Sequence, residues 1–133
     1  MNKPVILLID DEKIILNSLL NQLKRAFTWQ FQYEAATSID EAKEIIEELE
    51  EEGSPVKLIV TDWPFEDVNS LGDLKEMCET NAKIAKIVLS NYYDTQSSQA
   101  ADKLPNMKLY MTKPYEEDEL IESILEVLAE ELE

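Results

Sequence analysis

Histidine is absent from all 133 residues of this chain, and that absence removes several chemistries at once. Ser-His-Asp and Cys-His catalysis are excluded, as is a histidine-based zinc site. A carrier that holds a phosphoryl group on its own imidazole is excluded too. Cys78 stands alone, so neither an internal disulfide nor a cysteine metal cluster can form, and it is expected to be a small apolar residue on a buried helix face. Basic residues are scarce: 12 Lys and Arg against 29 Asp and Glu give a net charge of −17. Nucleic-acid backbones and anionic membranes both reward Lys and Arg, so neither is expected as a direct partner, whereas a basic partner fits. No apolar run exceeds the length of a strand, and the N-terminus lacks the basic-then-apolar pattern of a secretory leader. The expected location is therefore cytoplasmic.

What is present describes an ordinary globular chain. With 44% hydrophobic and 31% charged residues, the sequence is long enough for one domain, spanning 1–133, to bury a substantial core.

Apolar periodicity then alternates between strand and helix. Val5–Ile9 is a continuous apolar run, as expected of a strand covered on both faces. Ile15, Leu19, Leu23 and Phe27 recur every fourth residue with Leu16 and Leu20 beside them, which predicts a helix. Phe31, Tyr33 and Ala35 alternate with polar residues and predict a half-solvated edge strand. Ser38 with Glu41 forms a capping box ahead of a helix with the apolar face Ile39, Ala42, Ile45, Ile46 and Leu49. Gly53-Ser54-Pro55 stops that helix, and the acidic run Glu47–Glu52 is its solvated face. Val56–Thr61 predicts a strand, Leu71, Leu74, Met77 and Cys78 a helix, and Ile84–Ser90 a further strand. Tyr93–Leu104 predicts a short polar helix. Met107, Leu109 and Met111 alternate into a last strand, and Leu120, Ile121, Ile124, Leu125 and Leu128 mark a closing helix whose acidic first turn, Glu116–Glu119, suits the macrodipole.

Five strands alternating with five helices imply an α/β fold: a three-layer, doubly wound (βα)5 arrangement with right-handed crossovers. Alternating patterns in the second and fifth strands place them at the edges, which gives a five-stranded parallel sheet of order 2-1-3-4-5 with its switch point between the first and third strands.

The charges that matter fall at strand ends. Asp10 and Asp11 follow the first strand, Asp62 the third, Ser90 ends the fourth, and Lys113-Pro114 follow the fifth. In a parallel sheet all of them emerge at one edge, and three carboxylates crowded there require a cation. Two unit charges 4 Å apart repel by about 4 kcal/mol at an effective dielectric near 20. This is the outline of a magnesium-dependent phosphoryl-acceptor site.

Leu8-Ile9-Asp10-Asp11-Glu12, Val60-Thr61-Asp62, Ser90 and Tyr110-Met111-Thr112-Lys113-Pro114-Tyr115, in that order, give the chain a resemblance to the receiver domain of bacterial two-component response regulators over essentially its whole length. The resemblance implies that Asp62 is the phosphoacceptor, taking a phosphoryl group from a sensor histidine kinase or phosphotransfer protein. It implies Mg²⁺ held by Asp10, Asp11, Asp62 and the backbone carbonyl of Pro64. Lys113 and Ser90 would bind phosphoryl oxygens, and Ser90 with Tyr110 would form the switch. That switch would alter a face made by the fourth helix, fifth strand and fifth helix, through which homodimers could form. Such a domain catalyses only its own phosphorylation and dephosphorylation and is otherwise not an enzyme.

The sequence also departs from the family pattern. Asp62 is followed by Trp63-Pro64-Phe65-Glu66 rather than Met-Pro, the turn glycine is replaced by Ser70, and Asn91 stands where the family prefers a small residue. These departures motivate the alternative of a receiver-like interaction module that works without phosphorylation. A flavin or nucleotide carrier of the same fold is disfavoured, because Asp10-Asp11-Glu12 would repel phosphate. A haloacid dehalogenase-type phosphatase would want an Asp at the position of Pro64.

Overall fold

The apolar runs become the strands of one sheet. The structure, a computed structural model, describes residues 3–27, 31–63, 70–90, 104–112 and 115–131. Along the chain lie β1 (Val5–Ile9), α1 (Lys13–Phe27), β2 (Gln32–Ala36), α2 (Ile39–Glu51), β3 (Val56–Trp63), α3 (Ser70–Thr80), β4 (Ala85–Ser90), β5 (Met107–Thr112) and α4 (Glu117–Glu131). All neighbouring strands pair in parallel, in the order β2-β1-β3-β4-β5. The doubly wound α/β fold and its edge strands are as the sequence predicts. Of the helix expected over Tyr93–Leu104, only Leu104 is among the described residues, and it is buried in a bend.

Each face of the sheet carries its own core because alternate strand residues point to opposite sides. On one face Val5, Leu7, Ile9, Ile59 and Val88 pack against Ile39, Ala42, Ile46 and Leu49 of α2 and against Met77 and Cys78 of α3. On the other, Ile6, Leu8, Leu58, Val60, Ile87 and Leu89 meet Leu16, Leu19, Leu23 and Phe27 of α1 and Leu120, Ile124 and Leu128 of α4. Fully burying one such side chain is worth roughly 1.5–3 kcal/mol, so β1, with all five residues buried, is a major contributor to both cores.

Two helix faces differ from their sequence reading. Ile15 is 36% exposed, and the buried row of α1 is Leu16, Leu19, Leu23 and Phe27. Each step of four residues turns a helix about 40° past a full revolution, so a row built only of such steps drifts off the sheet. A step of three followed by two of four stays on it. Leu125 is 54% exposed because it lies one residue, about 100° of helix rotation, beyond Ile124 in the buried row Leu120, Ile124 and Leu128, and Val127 joins that row in the core.

The ends of α2 form as expected, with one refinement. Ser38 Oγ accepts from the Glu41 amide at 3.1 Å, but the Glu41 carboxylate reaches back to the Thr37 amide, one residue before the cap. Gly53 ends the helix at φ 78, a left-handed turn that glycine enters without a Cβ clash.

Lys86 is a feature that the apolar reading of β4 does not anticipate. It is 0% exposed, and its ammonium donates to the carbonyls of Asn81 at 2.8 Å and Pro105 at 2.9 Å. Burial lowers its pKa, while neighbouring Cys78 acts in the opposite sense. The clasp ties the end of α3 to the entry into β5, at the amino-terminal ends of the strands.

Candidate phosphoryl-acceptor site

At the carboxyl-terminal edge of the sheet the chain leaves β1 toward one face and β3 toward the other, and the acids gather at this switch point. Ile9 pairs with Thr61, which sets Asp10 and Asp62 side by side at this edge. Carboxylate oxygens of Asp10, Asp11 and Asp62 all lie within 4.8 Å of one another. Their environments are graded: Asp10 is 5% exposed, Asp62 is intermediate and Asp11 is exposed.

Local hydrogen bonds fix this geometry. The Asp10 amide donates to the Ala36 carbonyl at 3.1 Å, which extends the β1–β2 ladder past the end of β1. Asp10 Oδ1 accepts from the Glu12 amide at 2.9 Å, turning the chain into α1. Glu12 then accepts from the Leu16 amide at 3.0 Å, opening the helix. β3 runs two residues beyond its predicted end, pairing Asp62 with Leu89 and Trp63 with Ser90. Asp62 is therefore held within a central strand rather than in the loop after it. Thr61, 1% exposed, donates its hydroxyl to the Asp62 carbonyl at 3.0 Å and steadies that backbone. Sequence reading took Thr61 only as a strand end; a β-branched polar residue closing an apolar run was the available signal.

Ser90 is fully buried and lies between Trp63 on β3 and Thr112 on β5. Tyr110 pairs with Val88, two residues before Ser90, and packs half-buried against the core on that face. Ser90 and Tyr110 thus share one side of the sheet. Lys113 and Pro64, also expected at the site, lie outside the described residues, as does Asn91. Sequence reasoning did not single out Ile14, which is 85% exposed only three positions after Asp11.

The fit to a hard divalent cation rests on the donors: oxygen ligands of high negative charge, one of them buried, close enough to share an ion. Carboxylates in that arrangement also offer a nucleophilic oxygen.

Comparison with known proteins agrees with this fold. Residues 6–125 match the family model described as the response regulator receiver domain. The hydrogenase transcriptional regulatory protein HoxA of Cupriavidus necator is 27% identical over 119 residues, covering 90% of this chain and 23% of that protein's length. The fold is similar to a CheY-like response regulator receiver domain protein from Methanospirillum hungatei JF-1, at TM-score 0.79 and 23% identity over 98% of this chain and 97% of that one. It is equally similar, at TM-score 0.79 and 18% identity over 98% of each chain, to the signal receiver domain of an HD domain-containing protein from Pseudomonas fluorescens Pf-5.

Proposed function

The chain belongs to the response regulator receiver domain family, and on that premise we propose that it is a phosphoacceptor signalling domain with Asp62 as the acceptor. The observation that carries this reading is the convergence of Asp10, Asp11 and Asp62 from two strands to within 4.8 Å. A lone strand-end carboxylate is commonplace, but three held together by the sheet register are costly without a purpose. Since the chain has no histidine, a histidine-borne phosphoryl group has to come from another molecule, a sensor kinase or phosphotransfer protein.

In the transfer, an Asp62 carboxylate oxygen attacks phosphorus, the P–N bond to the donor imidazole breaks, and an aspartyl phosphate forms. Asp10, Asp11, Asp62 and the Pro64 carbonyl would hold Mg²⁺, which supplies charge neutralisation for the incoming phosphoryl group. Ser90 binds one phosphoryl oxygen by hydrogen bond and Lys113 another by charge. Ile14, 85% exposed and three residues after Asp11, would give the donor an apolar contact. Response travels along the face shared by Ser90 and Tyr110, where self-association is the expected output, in the cytoplasm.

Incubation with acetyl phosphate and Mg²⁺ tests this reading. One base-labile phosphoryl group per chain is expected, lost in Asp62→Asn. An unlabelled wild type would favour the receiver-like module that works without phosphate.

A further inference from the structure

Among the described residues the buried polar or charged side chains are Asp10, Ser54, Thr61, Lys86 and Ser90. Asp10, Thr61 and Ser90 stand at the acid edge, and of these only Thr61 has no part in the proposed chemistry. It is 1% exposed and closes the apolar run Leu58-Ile59-Val60. Sheet register sets it between Ile9 of β1 and Val88 of β4, both buried in the core on that face. An apolar side chain of the same shape would fill that place as well, so packing does not account for the hydroxyl. A buried hydroxyl needs a hydrogen-bond partner, and this one donates to the Asp62 carbonyl at 3.0 Å.

That bond falls where β3 loses one of its neighbours. Pairing with β1 ends where Ile9 meets Thr61, whereas pairing with β4 continues through Asp62 with Leu89 and Trp63 with Ser90. From Asp62 onward the strand is laddered on one side only. A peptide unit is planar, so a bond to the Asp62 carbonyl restrains rotation about the Asp62 Cα–C bond, at the same Cα that bears the carboxylate. We propose that the Thr61 hydroxyl is a positioning group for Asp62. By supplying a restraint where β1 no longer does, it holds the Asp62 carboxylate in the cluster with Asp10 and Asp11, whose oxygens lie within 4.8 Å of one another. The inference rests on the reading of Asp62 as phosphoacceptor. Thr61 acts through Asp62 on the aim of the attacking oxygen, and small errors of aim lower rates steeply.

The test compares Thr61→Val, which keeps the branched shape and removes the hydroxyl, with Thr61→Ser, which keeps the hydroxyl and removes a methyl. Three quantities are measured on each full chain: the initial rate of phosphorylation by acetyl phosphate, the Mg²⁺ affinity by calorimetry, and the melting temperature. Each variant loses one small interior interaction, so both should melt within about 4 °C of wild type. Thr61→Val should nevertheless lose about tenfold in rate and in Mg²⁺ affinity, as expected when a group that orients a ligand is removed, whereas Thr61→Ser should stay within about threefold of wild type in both. A Thr61→Val protein with wild-type rate or wild-type Mg²⁺ affinity would overturn the proposal. So would a Thr61→Ser protein impaired as much as Thr61→Val, which would assign the effect to the methyl group, or a Thr61→Val protein melting far below Thr61→Ser, which would assign it to the fold. A wild type that takes no label would count against the phosphoacceptor reading alone, and the Mg²⁺ affinities would then decide whether Thr61 positions Asp62; a wild type that binds no Mg²⁺ would overturn the proposal.

Discussion

Replacing Asp10 by Asn should stabilise the metal-free protein while removing most of its response to Mg²⁺. The change is nearly isosteric, and an Asn oxygen can still accept from the Glu12 amide as Asp10 Oδ1 does at 2.9 Å. What disappears is one negative charge from a cluster whose oxygens lie within 4.8 Å of one another. At that separation two unit charges repel by roughly 3.5 kcal/mol at an effective dielectric of about 20 and by roughly 0.9 kcal/mol in bulk water. Asp10 is buried and Asp62 partly so, whereas Asp11 is in water, so the relief falls between these limits, at about 1–3 kcal/mol. For a domain of this size that corresponds to a melting point raised by roughly 4 °C per kcal/mol. An ion bound only by the native state adds about 2.7 kcal/mol at a hundredfold excess over its Kd. Magnesium should lift the wild type by that order and the variant by much less. The assay is thermal unfolding of both proteins in EDTA and in MgCl₂ at matched ionic strength. A metal-free variant less stable than wild type, or an undiminished magnesium response, would refute the argument that Asp10 is a repelled ligand.

Three other outcomes follow from the interior and the caps. Burial pushes the Cys78 thiol up from 9.0 to about 11, with the Lys86 ammonium acting the other way; the native state holds its proton longer than the unfolded chain. The resulting stability, about 2–3 kcal/mol, is complete below pH 9 and lost between pH 9 and 11. Urea unfolding across that range should fall less steeply in Cys78→Ala, and parallel curves would contradict the assignment. Lys86→Ala strips the charged donor from the Asn81 and Pro105 carbonyls and opens a cavity. It should cost about 3–5 kcal/mol, against a smaller loss for volume-preserving Lys86→Met, both measured by denaturant titration. Ser38→Ala removes the acceptor for the Glu41 amide and should cost about 1 kcal/mol, with faster amide exchange confined to the first turn of α2.

Strand order was legible because burial writes itself into sequence. Val5–Ile9 had to lie inside a sheet covered on both faces, while alternation at Phe31–Ala35 and Met107–Met111 marked the edges. The acid site was legible because parallel strands send their ends to one edge, where Asp10, Asp11 and Asp62 do converge. Other features escaped for reasons that are equally physical. The two further residues of β3 depend on pairing with β4, a nonlocal bond with no signature of its own in the chain. Lys86 resembles a solvated lysine until the carbonyls of Asn81 and Pro105 are brought to it by the fold. The exposed positions of Ile15 and Leu125 follow from helix phase relative to the sheet, which an apolar count ignores.

The account's central claim is that Asp62 carries the phosphoryl group, and chemical trapping tests it most directly. Borohydride reduces an acyl phosphate, converting the phosphorylated aspartate to homoserine, and peptide mass mapping locates the conversion. After treatment with a small phosphodonor and Mg²⁺, homoserine should appear at position 62 alone and be absent from Asp62→Asn. Homoserine at Asp10 or Asp11, or a phosphoryl group that resists borohydride on a serine or threonine, would contradict it.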